Sequence, residues 1–279
     1  MRQCRCRSSR EQHNSDCGSK FHDSNSKPAL EFILANNIFN TFRHGMIAEL
    51  DIKGSKLMCG RYTLYLPWSE IHRLYNLTLT ADHARNTQPR YNICPTQDVL
   101  FVTHSDDGMR LREGRWGLVP FWAKEIGKFS TFNAMSEEAD KKPMFREAFK
   151  NKRCLIPADG FYEWTKNTDD GGRDPWHIHL PDHAPFSFAG LWATNEPLGI
   201  SSCTILTALP VEPIVSIHTR MPVILKPDVY EAWIDPTTSV TDAKELLKEH
   251  LDGDLQMYRV DRQINSSRWP GDETAIQPI

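Results

Sequence analysis

From residue 58 onward the sequence predicts a strand-rich α+β domain; the 57 residues before it have a different character. Three observations point to that class. Short apolar runs recur between turn signals, which reads as strands. Helical patterns are fewer and do not alternate regularly with those runs, which favours a mixed fold over a doubly wound parallel sheet. The apolar fraction of 39% and 8 Trp are enough to bury a core, while no stretch approaches the roughly 18 consecutive apolar residues of a membrane span.

Taken in order, residues 69–77 carry the first helical pattern, and 99–103 and 112–119 the first two strand-like runs. A helical pattern at 144–150 precedes runs at 153–157, 161–164, 176–180, 186–191 and 203–208. Gly171 and Gly172 mark the loop of a hairpin between the runs at 161–164 and 176–180. Residues 211–217 read as a helix, 221–225 as a strand, 228–234 as a helix, and 241–251 as a helix with Thr241 as its N-cap.

Residues 1–27 are rich in Ser, Arg and Asn with almost no apolar periodicity, a composition that predicts disorder, and 28–45 could form one short helix. Glu11, Asp16 and Asp23 spoil the acid-poor pattern of a transit peptide, and no apolar core follows the basic start as a secretory signal requires. The leader therefore reads as a removable segment or as sequence ahead of the true start. It holds 9 Lys/Arg against 6 Asp/Glu, so residues 58–279 hold 24 against 30. A broad basic surface for duplex DNA is excluded by that negative balance, and any nucleic acid must be held in a local basic groove. The seven cysteines (Cys4, Cys6, Cys17, Cys59, Cys94, Cys154, Cys203) lack CxxC spacing and suggest neither a zinc site nor a disulfide framework. A reducing compartment fits them, and no metal or cofactor is expected.

Cys59, in KLMCGRYTL, differs from the others by following Met58. A buried, packing role is the default for a free cysteine. Methionine is readily trimmed before a small residue, however, and an exposed N-terminal Cys59 would carry both a thiol and an α-amine with a reference pKa of about 8. Such a pair can condense with an aldehyde to a five-membered thiazolidine, and a terminal amine can also act as base for its own side chain. Glu163, in ADGFYEW, is a carboxylate among aromatics whose desolvation would raise its pKa toward acid/base work, or an outward-facing strand residue. His218, in SIHTRMP, is a structural hydrogen-bonder or, beside Arg220, part of an anion site. Asn133 could be a turn residue, and the aromatics of WGLVPFW (116–122) are core or a stacking platform for unpaired bases.

Together MCGRY (58–62), RYNICPTQ (90–97), RWGLVPFW (115–122), FNAMSEE (132–138), FREAF (145–149), RCLIPADGFYEW (153–164), FAGLW (188–192) and IHTRMPVIL (217–225) resemble, in order, the blocks of the SOS-response-associated peptidase (SRAP) family, also called abasic site processing proteins. The resemblance implies mixed sheets forming a partly open barrel-like core with flanking helices. It implies a DNA repair protein whose Cys59, freed of Met58, bonds covalently to the ring-opened aldehyde of an abasic site in single-stranded DNA, and which removes the residues ahead of Cys59 itself. On this chain Asn133 would then orient the amine, Glu163 move protons, and His218 contact a phosphate or sugar oxygen and assist reversal. Arg61 and Arg220 would hold phosphates, and Pro95, Phe121, Trp122 and Trp164 would keep the strand bent and unpaired. A monomer is expected, in the nucleus of a eukaryote or the cytoplasm and nucleoid of a bacterium, neither secreted nor membrane-bound. One departure is Met135, where the family usually has Arg; Lys128, Lys141 or Lys142 could compensate. Two other readings remain open: a cysteine peptidase using Cys59 and His218, and a non-catalytic single-strand binding module.

Overall fold

The computed structural model describes residues 59–77, 88–127, 131–248 and 254–279. The leader, Met58, Lys128 and the last residues of the helix expected at 241–251 lie outside these residues. Two sheets carry the fold. In the larger, β3 (Asp98–Ser105) and β4 (Gly108–Trp116) form a hairpin, as do β9 (Phe186–Asn195) and β10 (Ile200–Ala208). Strand β6 (Arg153–Ala158) bridges them, pairing with β9 along its length and with β3 through Val102 and Leu155. Parallel pairing of Ser202 and Cys203 on β10 with Arg115 and Trp116 on β4 then closes the five strands into a ring. A closed barrel has no free edge within the ring, so β10 spends both of its edges on pairing. Gly114 makes the closure possible, since a Cβ there would stand 2.5 Å from the Ser201 carbonyl oxygen.

Beyond the ring, the C-terminal half of β10 pairs with β5 (Asn133–Met135) on one edge and β11 (Met221–Pro222) on the other. Strand β12 (Ile224–Leu225) adds to β9. The second sheet is antiparallel, in the order β13 (Gln256–Arg259), β8 (Arg173–His179), β7 (Gly160–Lys166), β1 (Tyr62–Leu64), β2 (Arg90–Ile93). Side chains from both sheets meet in one core. The Tyr62 ring of β1 stands edge-on to Trp116 of β4 at 5.2 Å and to Phe188 of β9 at 5.8 Å. Trp116, fully buried, satisfies its indole N–H on the Phe132 carbonyl oxygen at 2.8 Å, as burial of a tryptophan requires.

Most expected runs are strands, and the hairpin around Gly171 and Gly172 joins β7 to β8. Strand β4 begins four residues before the expected start because its first half alternates exposed and half-buried residues, which hides it from a search for apolar runs. Helices α1 (Trp68–Leu74), α2 (Arg146–Asn151), α3 (Tyr230–Ile234) and α4 (Val240–Leu246) are shorter than their patterns suggested. The helix expected at 211–217 is only a single 3-10 turn, Ile214–Ser216, because Pro213 keeps the residue before it out of the helical region and so stands at the cap. Ser239, not Thr241, caps α4: its backbone is extended and its hydroxyl accepts from the Asp242 N–H at 3.1 Å.

Arg153 ties helices to barrel. It is 2% exposed on β6 and pairs with no carboxylate among the described residues; its guanidinium donates instead to carbonyls at two helix ends. Nε reaches the Trp233 oxygen at 2.6 Å, Nη1 the Phe149 and Lys150 oxygens at 2.8 and 3.0 Å, and Nη2 the Asp235 and Thr238 oxygens. These are the C-termini of α2 and α3, where the helix dipole favours a cation and the last carbonyls lack partners. Replacing Arg153 by Met should leave those carbonyls unsatisfied and lower the unfolding free energy by about 3 kcal/mol. Urea unfolding followed by tryptophan fluorescence measures it, and a loss within experimental error of zero would show that the carbonyls find other donors.

Candidate active site

Four residues that are far apart in sequence meet where β1 and β7 approach the C-terminal half of β10. Cys59 lies three residues before β1, and Glu163 is on β7, the neighbour of β1. Asn133 opens β5, paired opposite Ile205 of β10. His218 sits in the loop leading to β11, which pairs with the end of β10. The barrel strand thus delivers Asn133 and His218, and the second sheet delivers Cys59 and Glu163.

All but His218 are buried to 3% exposure or less. The Asn133 amide nitrogen donates to the Cys59 carbonyl oxygen at 2.7 Å, which fixes the backbone of the cysteine rather than its side chain. The Cys59 Sγ lies 3.7 Å from the Arg61 oxygen and 3.9 Å from the Tyr162 oxygen, with the Glu163 carboxyl close enough to raise the pKa of the thiol. His218 Nε2 stands 3.9 Å from Glu163 Oε2, and its Nδ1 lies against the backbone of Arg220. Glu163 is therefore the hub, touching the thiol on one side and facing the imidazole on the other. Burial drives its carboxyl well above the ordinary carboxylate range, opposed only in part by Arg173. Burial, with Glu163 beside it, likewise pushes the Cys59 thiol up, so this is not a thiolate site of the kind that a depressed cysteine pKa creates. Two buried oxygens here, Asn133 Oδ1 and Glu163 Oε1, accept no hydrogen bond.

A groove of about 460 Å³ opens beside this cluster, bordered by Arg61, Pro95, Phe132, Trp164 and Arg173. A second depression of about 520 Å³ shares Pro95 and Phe132 with it and runs on past Arg115 to Trp122 and Lys124. Trp164 is flanked by two cations, Arg173 at 4.9 Å and Arg61 at 5.8 Å from the ring centre. Phe121 and Trp122 are 61% and 51% exposed, large apolar faces presented to solvent. Pro95, Trp122 and Trp164 thus border one continuous track, and Phe121 is the exposed chain neighbour of Trp122.

The two expected phosphate ligands sit less simply. Arg61 gives Nη1 to Asn92 Oδ1 at 2.9 Å and to the Ile264 oxygen. Arg220 makes a bidentate pair with Glu137 at 2.7 and 2.8 Å and is only 12% exposed, so a phosphate would have to displace Glu137. Met135 occupies its half-buried place on β5, and Lys142 is paired with Glu138. Arg173, Arg115 and Lys124, which line the track, escaped sequence reasoning. Arg173 is beside Trp164 only through the register of the β7–β8 hairpin, which no local pattern reveals.

The family model for SOS response associated peptidase (SRAP) matches residues 58–267. Among curated proteins, the chain is 38% identical over 217 residues to the abasic site processing protein YoaM of Bacillus subtilis, covering 76% of this chain and 94% of that protein. It is 27% identical over 228 residues to the abasic site processing protein YedK of Escherichia coli, covering 80% of this chain and all of that protein. Among solved structures, a phage-related protein of Bordetella bronchiseptica superposes with a TM-score of 0.61 at 30% identity, covering 73% of this chain and 95% of that one. A protein of Bacteroides thetaiotaomicron shares the fold with a TM-score of 0.68 at 23% identity, covering 79% and 100%.

The elevated Glu163 has a stability signature. The folded protein holds this proton more tightly than the unfolded chain, so the contribution of the buried acid is whole below the ordinary carboxylate range and is lost as pH rises through the folded value. Glu163→Gln removes the loss, so the variant should melt with the wild type in acid and increasingly above it toward neutral pH, by about 1.4 kcal/mol for each tenfold change in proton affinity. Asp159, pushed up to about 6 by burial, titrates in both proteins and cancels. A melting difference that stays flat from acid to neutral pH would refute the elevated carboxyl.

Proposed function

Because the chain belongs to the SOS response associated peptidase (SRAP) family, we propose that it repairs DNA by capturing abasic sites in single strands as a covalent adduct on Cys59, and that it works with Cys59 as its first residue. The observation that carries this reading is the burial of Glu163 against the Cys59 thiol, with Asn133 holding the Cys59 carbonyl. In the chain as written, the Cys59 nitrogen is an amide joined to Met58 and has no nucleophilic lone pair. Freed, it becomes an amine in a site where two buried acceptors, Glu163 Oε1 and Asn133 Oδ1, have no donor.

The chemistry follows from these groups. An abasic sugar opens to an aldehyde; the Cys59 amine adds to that carbon, and loss of water leaves an imine. The Cys59 sulfur then bonds to the imine carbon while the thiol proton passes to the nitrogen, closing a thiazolidine. Glu163, neutral through burial, supplies the proton that turns the hydroxyl into water and takes back the proton that the nitrogen gives up as the imine forms, a role for which an elevated pKa suits a carboxyl at neutral pH. His218, facing Glu163 across 3.9 Å, exchanges protons with it as the sugar opens or the adduct reverses. A single strand would lie along the track, its bases stacked on Trp164 and Trp122 and its phosphates near Arg173, Arg115 and Lys124. These cations form the local basic groove that a domain of negative net charge needs.

A Cys-His peptidase acting on other proteins is supported less well, because the titratable group touching the thiol is an acid that raises its pKa. Self-processing of the residues ahead of Cys59 is the part of the peptidase reading that fits; initiation at Met58 would expose Cys59 without it. Chain initiated at Met58 should give a heat-stable shifted band with an abasic single-stranded oligonucleotide on a denaturing gel. Cys59→Ala should abolish the band and Glu163→Gln slow it by roughly 100-fold or more; a band that survives Cys59→Ala would sink the mechanism. Paired Arg115→Ala and Arg173→Ala should flatten the salt dependence of single-strand binding by about two counterions, read as the slope of log affinity on log salt. An unchanged slope would place the phosphates elsewhere.

A further inference from the structure

Three histidines gather on the face of the second sheet away from Glu163, each with one buried ring nitrogen that has no hydrogen-bond partner. His177 and His179 are two apart on β8 and so lie on the same face of the strand. The turn Pro181–His183 brings His183 back over them, with Asp182 and His183 both in the left-handed region at φ 54° and 52°. The rings stack, His179 on His183 at 4.0 Å between centres and His177 on His179 at 5.4 Å. The donor atoms of the three lie within 4.8 Å of one another. His177 Nε2, His179 Nε2 and His183 Nδ1 are all buried and without a hydrogen bond, on residues that include two at 0% and 4% exposure.

The surrounding bonds set the tautomers. His179 Nδ1 is 2.7 Å from the Leu180 carbonyl oxygen, so it carries the proton and donates it. His177 Nδ1 is 3.2 Å from the Tyr258 hydroxyl, which itself donates to the Ile276 oxygen at 2.7 Å and so accepts from the histidine. In both rings the lone pair is thereby left on Nε2, the arrangement that outer hydrogen bonds impose on metal-binding histidines. Gly160 guards the approach: a Cβ there would stand 2.2 Å from His177 Nε2. In the β7–β8 ladder Tyr162 is opposite His177 and Glu163 opposite Trp176, so the histidines occupy the face of the sheet away from Glu163.

We propose that His177, His179 and His183 form a binding site for a divalent transition-metal ion of the zinc class. Imidazole nitrogens suit zinc and its neighbours, whereas magnesium and calcium demand oxygen ligands that this cluster does not contain. Three imidazoles leave one tetrahedral position for water or another oxygen donor. Because the ring planes are nearly parallel, loading requires His183 to turn toward the other two, a motion its place in a half-buried turn permits. The ion would pin the turn 181–183 onto β8 and, through Tyr258, onto β13, serving the architecture rather than the covalent chemistry.

The full-length protein, stripped with chelator, equilibrated with Zn²⁺ and freed of excess, is compared with His183→Ala and His179→Gln by elemental analysis. Wild type should retain one more equivalent than either variant, and Zn²⁺ should raise its melting temperature but not that of His183→Ala. Circular dichroism confirms that the His183→Ala variant, altered only in a turn, is folded. With Co²⁺ as the probe, the equivalent lost in His183→Ala should show d–d absorption without thiolate charge transfer, separating it from ions held by the cysteines or at Cys59. Equal metal content in wild type and His183→Ala, or a lost band that carries sulfur charge transfer, would overturn the site.

Discussion

Strand β10 is hydrogen-bonded along both edges, and the rest of the molecule is arranged around that demand. Its first six residues pair with β9, Ser202 and Cys203 also pair with β4, and its last residues take β5 on one side and β11 on the other. A strand satisfied on both edges is buried and held in a single register, because a slip of one residue would turn its core side chains outward. Asn133 is therefore placed by a ladder, and His218 by the short loop that runs into β11, whose pairing with β10 anchors it.

The second placement is electrostatic. Glu163 is 2% exposed and is not neutralised by a bonded cation; its partners are a thiol and, at 3.9 Å, an imidazole. A carboxyl in that setting stays protonated where surface acids are charged, which suits a group that must give a proton and take it back. The cations nearby are spent differently. Arg220 is bound to Glu137, and Arg61 is bonded to Asn92 at the border of the groove, while Arg173 and Arg115 also line the open track. The negative overall balance and a basic path for a strand are thus compatible, because the path needs few free cations and the acids pair off elsewhere, as Glu137 does with Arg220.

Much was legible in the sequence because it depended on local chemistry. The alternation of apolar runs with turn residues located most strands, and the Gly171–Gly172 pair located a hairpin, since period and turn conformation are properties of neighbouring residues. The sequence blocks, by their order, pointed to Cys59, Asn133, Glu163 and His218, and the structure brings all four together. Less legible were features that a longer-range partner decides. The first half of β4 hides as a polar segment because it borders solvent on one face.

What the sequence by itself determined, then, is the strand-rich class, the residue types able to do amine, thiol and proton chemistry, and the acid balance that excludes a broad basic surface. Only the tertiary structure decided that Glu163 faces inward, since an alternating strand offers two faces and burial selects one. Barrel closure, the spending of Arg220 on Glu137, the cationic flanks of Trp164 and the meeting of His177, His179 and His183 also belong to the fold. Each joins residues whose separation along the chain carries no information about their separation in space, and only hydrogen-bonded register across strands brings them into contact.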